Sequence, residues 1–453
     1  MSNGASFDAQ ALHPKAAASF DRRGDRLLAL FERRPPPPSP PEPFESRRPA
    51  EVVHAIASDP FGELCDAGLR TTGWYYYEGA EQMTLSGPGY RELRLLVEDV
   101  GRKQPFRSGF SRRFLERAVI TWCQASSTGK TAVGLASHLL NECSRAYAEH
   151  VYLVPLAYLE IAHDFKIGEV RLITVPPELF EEAAQRARER HPDKENAGRS
   201  SEELGRKLGN VAAVEVRTLG EKRFAADRAL EVARDIAGVI RFMSPAAISA
   251  TVPSPVHPLG HDPLPSIQML RLEDSRLVGA EAEFFHAGLA TWKLSAPDIE
   301  QLTNGSLANI GHFFDGRPLN DFAERLRHAF FGFCRAIGRY DAGDRLVGAI
   351  SALECLLVRD ESEPLQYSVA DRVAFLTAHT QSERLEAVST YKRAYAFRSG
   401  IVHRLAGIAE EEVADGLFRL AFIAFHKAIT GLTIFDSRQA FLDGLDGVKF
   451  RAT

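Results

Sequence analysis

The 453-residue chain lacks any stretch near the roughly 18 uninterrupted apolar residues that a membrane-spanning helix requires. Its first residues show no basic segment followed by an apolar run, so no secretory signal is expected. Cysteine is sparse: Cys65, Cys123, Cys143, Cys334 and Cys355 are odd in number and form no Cys-x-x-Cys pair, which argues against a disulfide framework and for buried, reduced thiols in a cytoplasmic protein. Excess positive charge is also missing. With 55 Lys and Arg against 60 Asp and Glu, the formal net charge of -5 gives no global attraction to nucleic acid, so any contact with RNA has to be local.

Two familiar sites are absent on inspection. Ala125-Ser-Ser-Thr-Gly129-Lys130-Thr131 has the end of a phosphate loop, but Gln124 stands where the first glycine belongs and no apolar strand precedes it; Gly129 is expected to open the following helix. His257, His261 and Asp262 carry metal-binding groups, yet the surrounding prolines prevent a helix that would gather them and no fourth ligand is evident, so a surface loop is expected. No metal and no cofactor is expected.

What the sequence does contain is enough chain for two folded units. Residues 1–50 are polar and end in Pro35-Pro-Pro-Pro-Ser-Pro-Pro-Glu-Pro43, the composition of an extended tail. An α+β domain is expected over 51–312. Glu51 to Ala67 reads as a helix, Tyr75-Tyr-Tyr77 as a strand, and Ser111 to Trp122 as a helix with Phe114, Leu115, Val119 and Ile120 on its apolar face. Val151–Ile161 and Glu169–Val175 read as a hairpin or adjacent pair of strands, Arg186–Asn210 as a helix and mobile loop, Ala212–Thr218 as a further strand, and Ala225–Phe242 as a helix. Strand-like pieces at Met269–Leu272 and Glu283–Leu294 close the domain.

The region 317–435 is all helical in pattern, with 436–453 as a tail. Asn320 or Asp321 caps a first helix carrying Phe322, Leu326, Phe330, Phe333 and Ile337. Asp341–Val358 is a second, apolar almost all round from Leu346 onward, with Glu354 its one carboxylate there; such a charge either reaches the helix edge or meets a cation, Arg398 or Arg372. A third element is broken near Gln381 and runs on to Arg398. The fourth, Glu410–Thr430, bears Leu417, Leu420, Phe422, Ile423 and Phe425, more apolar surface than a small bundle needs, and a dimer would use it.

Strong polar chemistry concentrates in Tyr391-Lys-Arg-Ala-Tyr395-Ala-Phe-Arg398-Ser399-Gly400-Ile-Val-His403-Arg404. Tyr391, Tyr395, Arg398 and Val402 share one helical face, whereas Arg398 and His403 stand about 140° apart on a straight helix. Gly400 offers a kink or an early helix end that would bring the two together. Arg145 and His150 repeat the spacing, but without such surroundings.

Ala349-Ile-Ser-Ala-Leu-Glu354-Cys-Leu-Leu, Asp371-Arg372-Val-Ala-Phe-Leu and Tyr395-Ala-Phe-Arg398-Ser399-Gly-Ile-Val-His403 resemble the HEPN superfamily, in its Apea-like subgroup. The fold this implies is an α+β N-terminal domain followed by an all-α HEPN-like helical bundle. The resemblance also implies a metal-independent endoribonuclease working as a homodimer through this domain, plausibly a regulated toxin or abortive-infection effector against phage. Arg398 and His403 would be catalytic, with Ser399 in the place often filled by Asn, and Glu354 and Tyr395 supporting. Chemically the set suits the task, since imidazole transfers protons near neutral pH and guanidinium holds phosphate; Arg393 and Arg404 add local charge, and Tyr391 and Tyr395 offer surfaces for base stacking. The family also contains members that bind RNA or dimerise without cutting it.

Overall fold

The computed structural model describes residues 7–8, 11–34, 61–66, 70–79, 81–192, 196–252, 254–260, 266–273, 276–284, 291–360, 362–404 and 411–451, with the side chains of 34, 266–284, 306, 401–404 and 450–451 outside that description. The chain forms two compact units: Met1–Val151 with Arg217–Arg228, and Tyr152–Val216 with Ala229–Thr453. The division therefore falls well before the 312–317 boundary that composition led us to expect.

In the first unit, α1 (Pro14–Leu28) is a helix within the stretch read as a tail. Proline sits in its first turn, where no backbone donor is needed, and Phe20 and Leu27 are buried. Its close packing depends on Gly24, since a Cβ there would lie 2.9 Å from the Trp122 ring. An antiparallel sheet follows in the order β1-β4-β3-β2, from β1 (Glu32–Arg34), β2 (Phe61–Cys65), β3 (Thr71–Glu78) and β4 (Glu81–Ser86). The helix expected over Glu51–Ala67 is thus a strand at 61–65, where Phe61 and Glu63 pair with Tyr76 and Trp74; residues 51–60 lie outside the described residues.

Alternation along β3 and β4 turns Trp74, Tyr76, Met83 and Leu85 into the core, against α2 (Gly87–Gly101), α3 (Arg112–Ser127) and α4 (Leu135–Ala146). Buried Glu116 accepts from Trp74 Nε1 at 3.2 Å and from Arg112 Nε at 2.8 Å. Gly129 does not open a helix. It closes α3 at φ +70°, donating to Ser126 O while Lys130 N reaches Ala125 O at 2.8 Å, the paired bonds of a glycine-ended helix.

Next in the chain comes a five-stranded sheet in the order β10-β5-β9-β8-β7. Its strands are β5 (Ala148–Ala157), β7 (Phe165–Ile167), β8 (Val170–Thr174), β9 (Ala212–Gly220) and β10 (His257–Pro258); β6 (Leu159–Ile161) pairs instead with β13 (Trp292–Leu294). The expected pairing of 151–161 with 169–175 does not form, because the tight turn at Gly168 gives β8 to β7 and its other edge to β9. Helices α5 (Glu178–Arg190) and α6 (Arg199–Leu208) occupy the segment read as a helix and loop. Then come α7 (Lys222–Phe242), the hairpin β11 (Ser266–Glu273) and β12 (Arg276–Phe284), and the short α8 (Ala296–Asn304) and α9 (Ser306–Gly311).

The remainder is helical: α10 (Asp321–Ile337), α11 (Ala342–Leu357), α12 (Leu365–Thr377), α13 (Gln381–Arg404), α14 (Glu411–Thr430) and α15 (Arg438–Arg451). Asn320 and Asp341 cap α10 and α11, accepting from Ala323 N and Asp344 N at 2.8 Å each. Helix α11 is central, burying Leu346, Ala349, Ile350, Leu353, Leu356 and Leu357. The apolar surplus of α14 is largely consumed within the chain: Phe422 packs on Phe242 at 4.9 Å, Phe425 stacks on Phe333 at 5.2 Å, and Ile423 alone of the five expected residues is exposed, at 37%.

The stretch 436–453, expected as a tail, contains α15, which buries Phe441 and Leu442. Arg372 on α12 fixes it there. Its guanidinium makes a bidentate pair with Glu363 at 2.8 Å for both bonds, reaches Asp446 at 3.0 and 3.1 Å, and donates to Leu357 O at 2.7 Å. Arg345 plays a comparable part on α11, donating to the carbonyls of Ala246, Ser249 and Ala250 at 2.6 to 2.9 Å.

Candidate functional site

Helix α11, nine of whose residues are buried, carries Glu354 in a largely apolar stretch, its side chain only 15% exposed. It meets Arg398 of α13, with Nη2 to Oε2 at 3.6 Å. Of the two candidate cations this is the one that pairs, since every donor of Arg372 is already engaged by Glu363, Asp446 and Leu357 O. The contact is an ion pair but too long for a good hydrogen bond.

Arg398 is held from its other side by its own helix. Tyr395, three residues earlier on the same face, accepts from Nη1 at 3.4 Å and places its ring 5.3 Å beneath the guanidinium carbon. One further turn back, Tyr391 is wholly buried, its ring 6.2 Å from that of Tyr395. It therefore offers no surface for stacking a base, and of the two expected platforms only half-buried Tyr395 remains.

Three polar atoms in this cluster are buried without a hydrogen-bond partner: Glu354 Oε1, Tyr391 OH and Arg398 Nε. Burial pushes the Glu354 carboxyl above the ordinary range, with Arg398 opposing. Burial, reinforced by the charge of Glu354, pushes the Tyr391 hydroxyl well up. Arg398 itself is not sealed in, its side chain being 29% exposed against 15% for Glu354. The site is an arginine with one edge toward solvent and an acid behind it.

Helix α13 runs unbroken through Gly400 to Arg404, so the helix end that glycine was expected to supply is not there. A glycine inside a helix costs about 1 kcal/mol, which the packing of the buried residues Ala387, Tyr391 and Ala394 overrides. On a continuous helix positions 398 and 403 remain about 140° apart around the axis. Ser399 is exposed, and the side chain of His403 lies outside the described residues. The matching spacing elsewhere divides between elements, with Arg145 ending α4 in an ion pair to Glu142 at 3.0 Å and His150 on β5.

The Glu354–Arg398 pairing allowed by the sequence is present, whereas Tyr391, expected as a stacking surface, is buried. The signal for its burial was available in the same spacing: 391, 395 and 398 share the face that meets α11. His257, the one member of the discarded metal trio among the described residues, is buried and turns Nδ1 to Pro255 O. Among the described residues no three His, Cys, Asp or Glu gather as a metal cluster, and no helix is long and apolar enough to cross a membrane. No family model, curated protein or solved structure matches the chain.

Proposed function

We propose that the helical region is a HEPN-type domain and that the protein is a metal-independent endoribonuclease acting as a homodimer. The observation that carries this is the partly exposed Arg398 side chain, its buried Nε unsatisfied, on the helix that also bears His403. Arginine in this state can give its planar fork to a phosphate. Because 398 and 403 stand on different sides of one helix, a cleft using both draws them from two copies related by a two-fold axis.

In that cleft one His403 takes the proton of the ribose 2′-hydroxyl, the oxygen attacks phosphorus, and the bond to the 5′-oxygen breaks. The second His403 protonates that leaving oxygen. Arg398 balances charge on the five-coordinate phosphorus. The products are a 2′,3′-cyclic phosphate and a 5′-hydroxyl. Ser399, exposed beside Arg398, is available to a phosphate oxygen.

A second reading has its own observation. Arg398 is already engaged by Glu354, and a buried ion pair that only orders the bundle would serve an RNA-binding or dimerisation module without chemistry. Incubating the purified chain with total RNA in EDTA separates the two. The nuclease reading expects cleavage that Arg398→Ala and His403→Ala each abolish; wild-type cleavage no faster than the variants' leaves the module.

A further inference from the structure

The Glu354–Arg398 pair is built unlike the Arg372 cluster. Arg372 uses all five of its donors on two carboxylates and a carbonyl. Arg398 meets its acid at 3.6 Å, keeps Nε unpartnered, and leaves Glu354 Oε1 and Tyr391 OH unpartnered beside it. Such a network is held together loosely, and a better anion entering from the exposed edge of Arg398 has little to break.

Resting on the reading of Arg398 as a phosphate-binding residue, we propose that Glu354 is an internal counter-anion which an incoming phosphate-class oxyanion displaces, and that the exchange is completed by uptake of one proton on Glu354. The step balances simply. The oxyanion takes over the guanidinium, Glu354 loses its neutralising partner, and a solvent proton makes the stranded carboxyl neutral. Tyr391, whose hydroxyl is buried, unpartnered and within electrostatic reach of Glu354, is a polar group available to it.

Among the described residues, the charged groups with bonds recorded on the neighbouring helices are engaged elsewhere. From α10, Arg325 gives Nε to Cys355 O at 2.6 Å; from α12, Arg372 is neutralised by Glu363 and Asp446; from α14, Asp415 receives Ser249 and Ala250 and faces Arg345. From α13 itself, Arg398, Tyr391 and Tyr395 are the titratable groups at the site. Oxyanion binding therefore strengthens as pH falls, because protons and the ligand bind together. It also means that the free site resists non-specific anions at higher pH.

The test is calorimetric titration of the full chain with sulfate, whose charge is fixed across the range, at pH 5.5 and 8 in buffers of different ionisation heat. The wild type is expected to bind more tightly at pH 5.5 with net proton uptake. Glu354→Gln, which keeps shape but removes the charge, is expected to bind about fivefold more tightly than wild type at pH 8 and to lose that uptake. His403→Ala, titrated alongside, removes any proton taken up by the imidazole, and the uptake that remains in it is expected to vanish when Glu354→Gln is added. A Glu354→Gln variant with wild-type affinity and uptake overturns the inference while leaving Arg398 as the anion site. Sulfate binding that survives Arg398→Ala overturns the anion-site reading itself.

Discussion

Replacing Arg372 with methionine removes the cation that joins α12 to α15 while keeping most of the side-chain volume. The wild-type guanidinium is 8% exposed and faces Glu363 at 18% and Asp446 at 35%. Its loss strands two carboxylates, and breaking a buried pair in this way costs about 3–5 kcal/mol. Water at Asp446 and the remaining contacts from Arg359, at 3.0 Å to Asp446 and 2.8 Å to Asp443, place the expectation at the lower end, about 3 kcal/mol. For a unit of this size, with an unfolding entropy of about 0.6 kcal/mol/K, that is a fall of about 5 °C in melting temperature. The pH dependence adds a second readout. Hydrogen bonds from Arg372 hold both Glu363 and Asp446 below their ordinary values of 4.5 and 3.8, so their stabilisation is complete above those values and is lost as pH falls through the lower folded ones. Melting followed by circular dichroism from pH 7 to pH 3 should therefore show a gap between wild type and Arg372→Met that narrows only below about pH 4.5. A variant melting within a degree of wild type at pH 7, or a gap unchanged at pH 3, refutes the clasp as the element that fixes α15.

Three further outcomes are expected. Arg345→Met leaves the carbonyls of Ala246, Ser249 and Ala250 without their donor and should cost about 3 kcal/mol in urea denaturation, the wild-type guanidinium being pulled down to about 10 by burial against the pull of Asp415. Glu221→Ala removes the carboxylate that caps α7 through Arg223 N at 2.7 Å and Phe224 N at 2.8 Å and should cost about 1–2 kcal/mol. Burial raises that carboxyl, but the bonds from Ser111, Arg223 and Phe224 outweigh it and leave it below 4.5, so the loss should shrink as acid titrates the wild type below that value. Gly129→Ala forces a side chain into φ +70° and should destabilise the first unit by about 1 kcal/mol, as read by its thermal midpoint, with no effect on nucleotide affinity.

The parts legible in the sequence were those fixed by local chemistry. Asn320, Asp341 and Ser111 announced helix starts, and the apolar stripe of 225–242 gave α7. Glu354 stood out as the one carboxylate in the apolar stretch of α11, with Arg398 among its candidate partners. Choosing between Arg398 and Arg372 required knowing that 438–451 folds back, and that helix, rich in Asp and Gly, carries too weak a pattern to be seen alone. Helix α1 was hidden by its proline-rich neighbour, although Phe20 and Leu27 stand seven residues apart on one face. At Gly129 and Gly400 the same residue type ended one helix and was carried through another, a difference that no local signal records.

The most direct test of the account is the chemistry of the RNA ends produced by the purified chain in EDTA. A 2′,3′-cyclic phosphate at the upstream end and a 5′-hydroxyl at the downstream end, both lost in Arg398→Ala and in His403→Ala, is the predicted result. Uncut RNA, 3′-hydroxyl ends, or the same ends from either variant would contradict it.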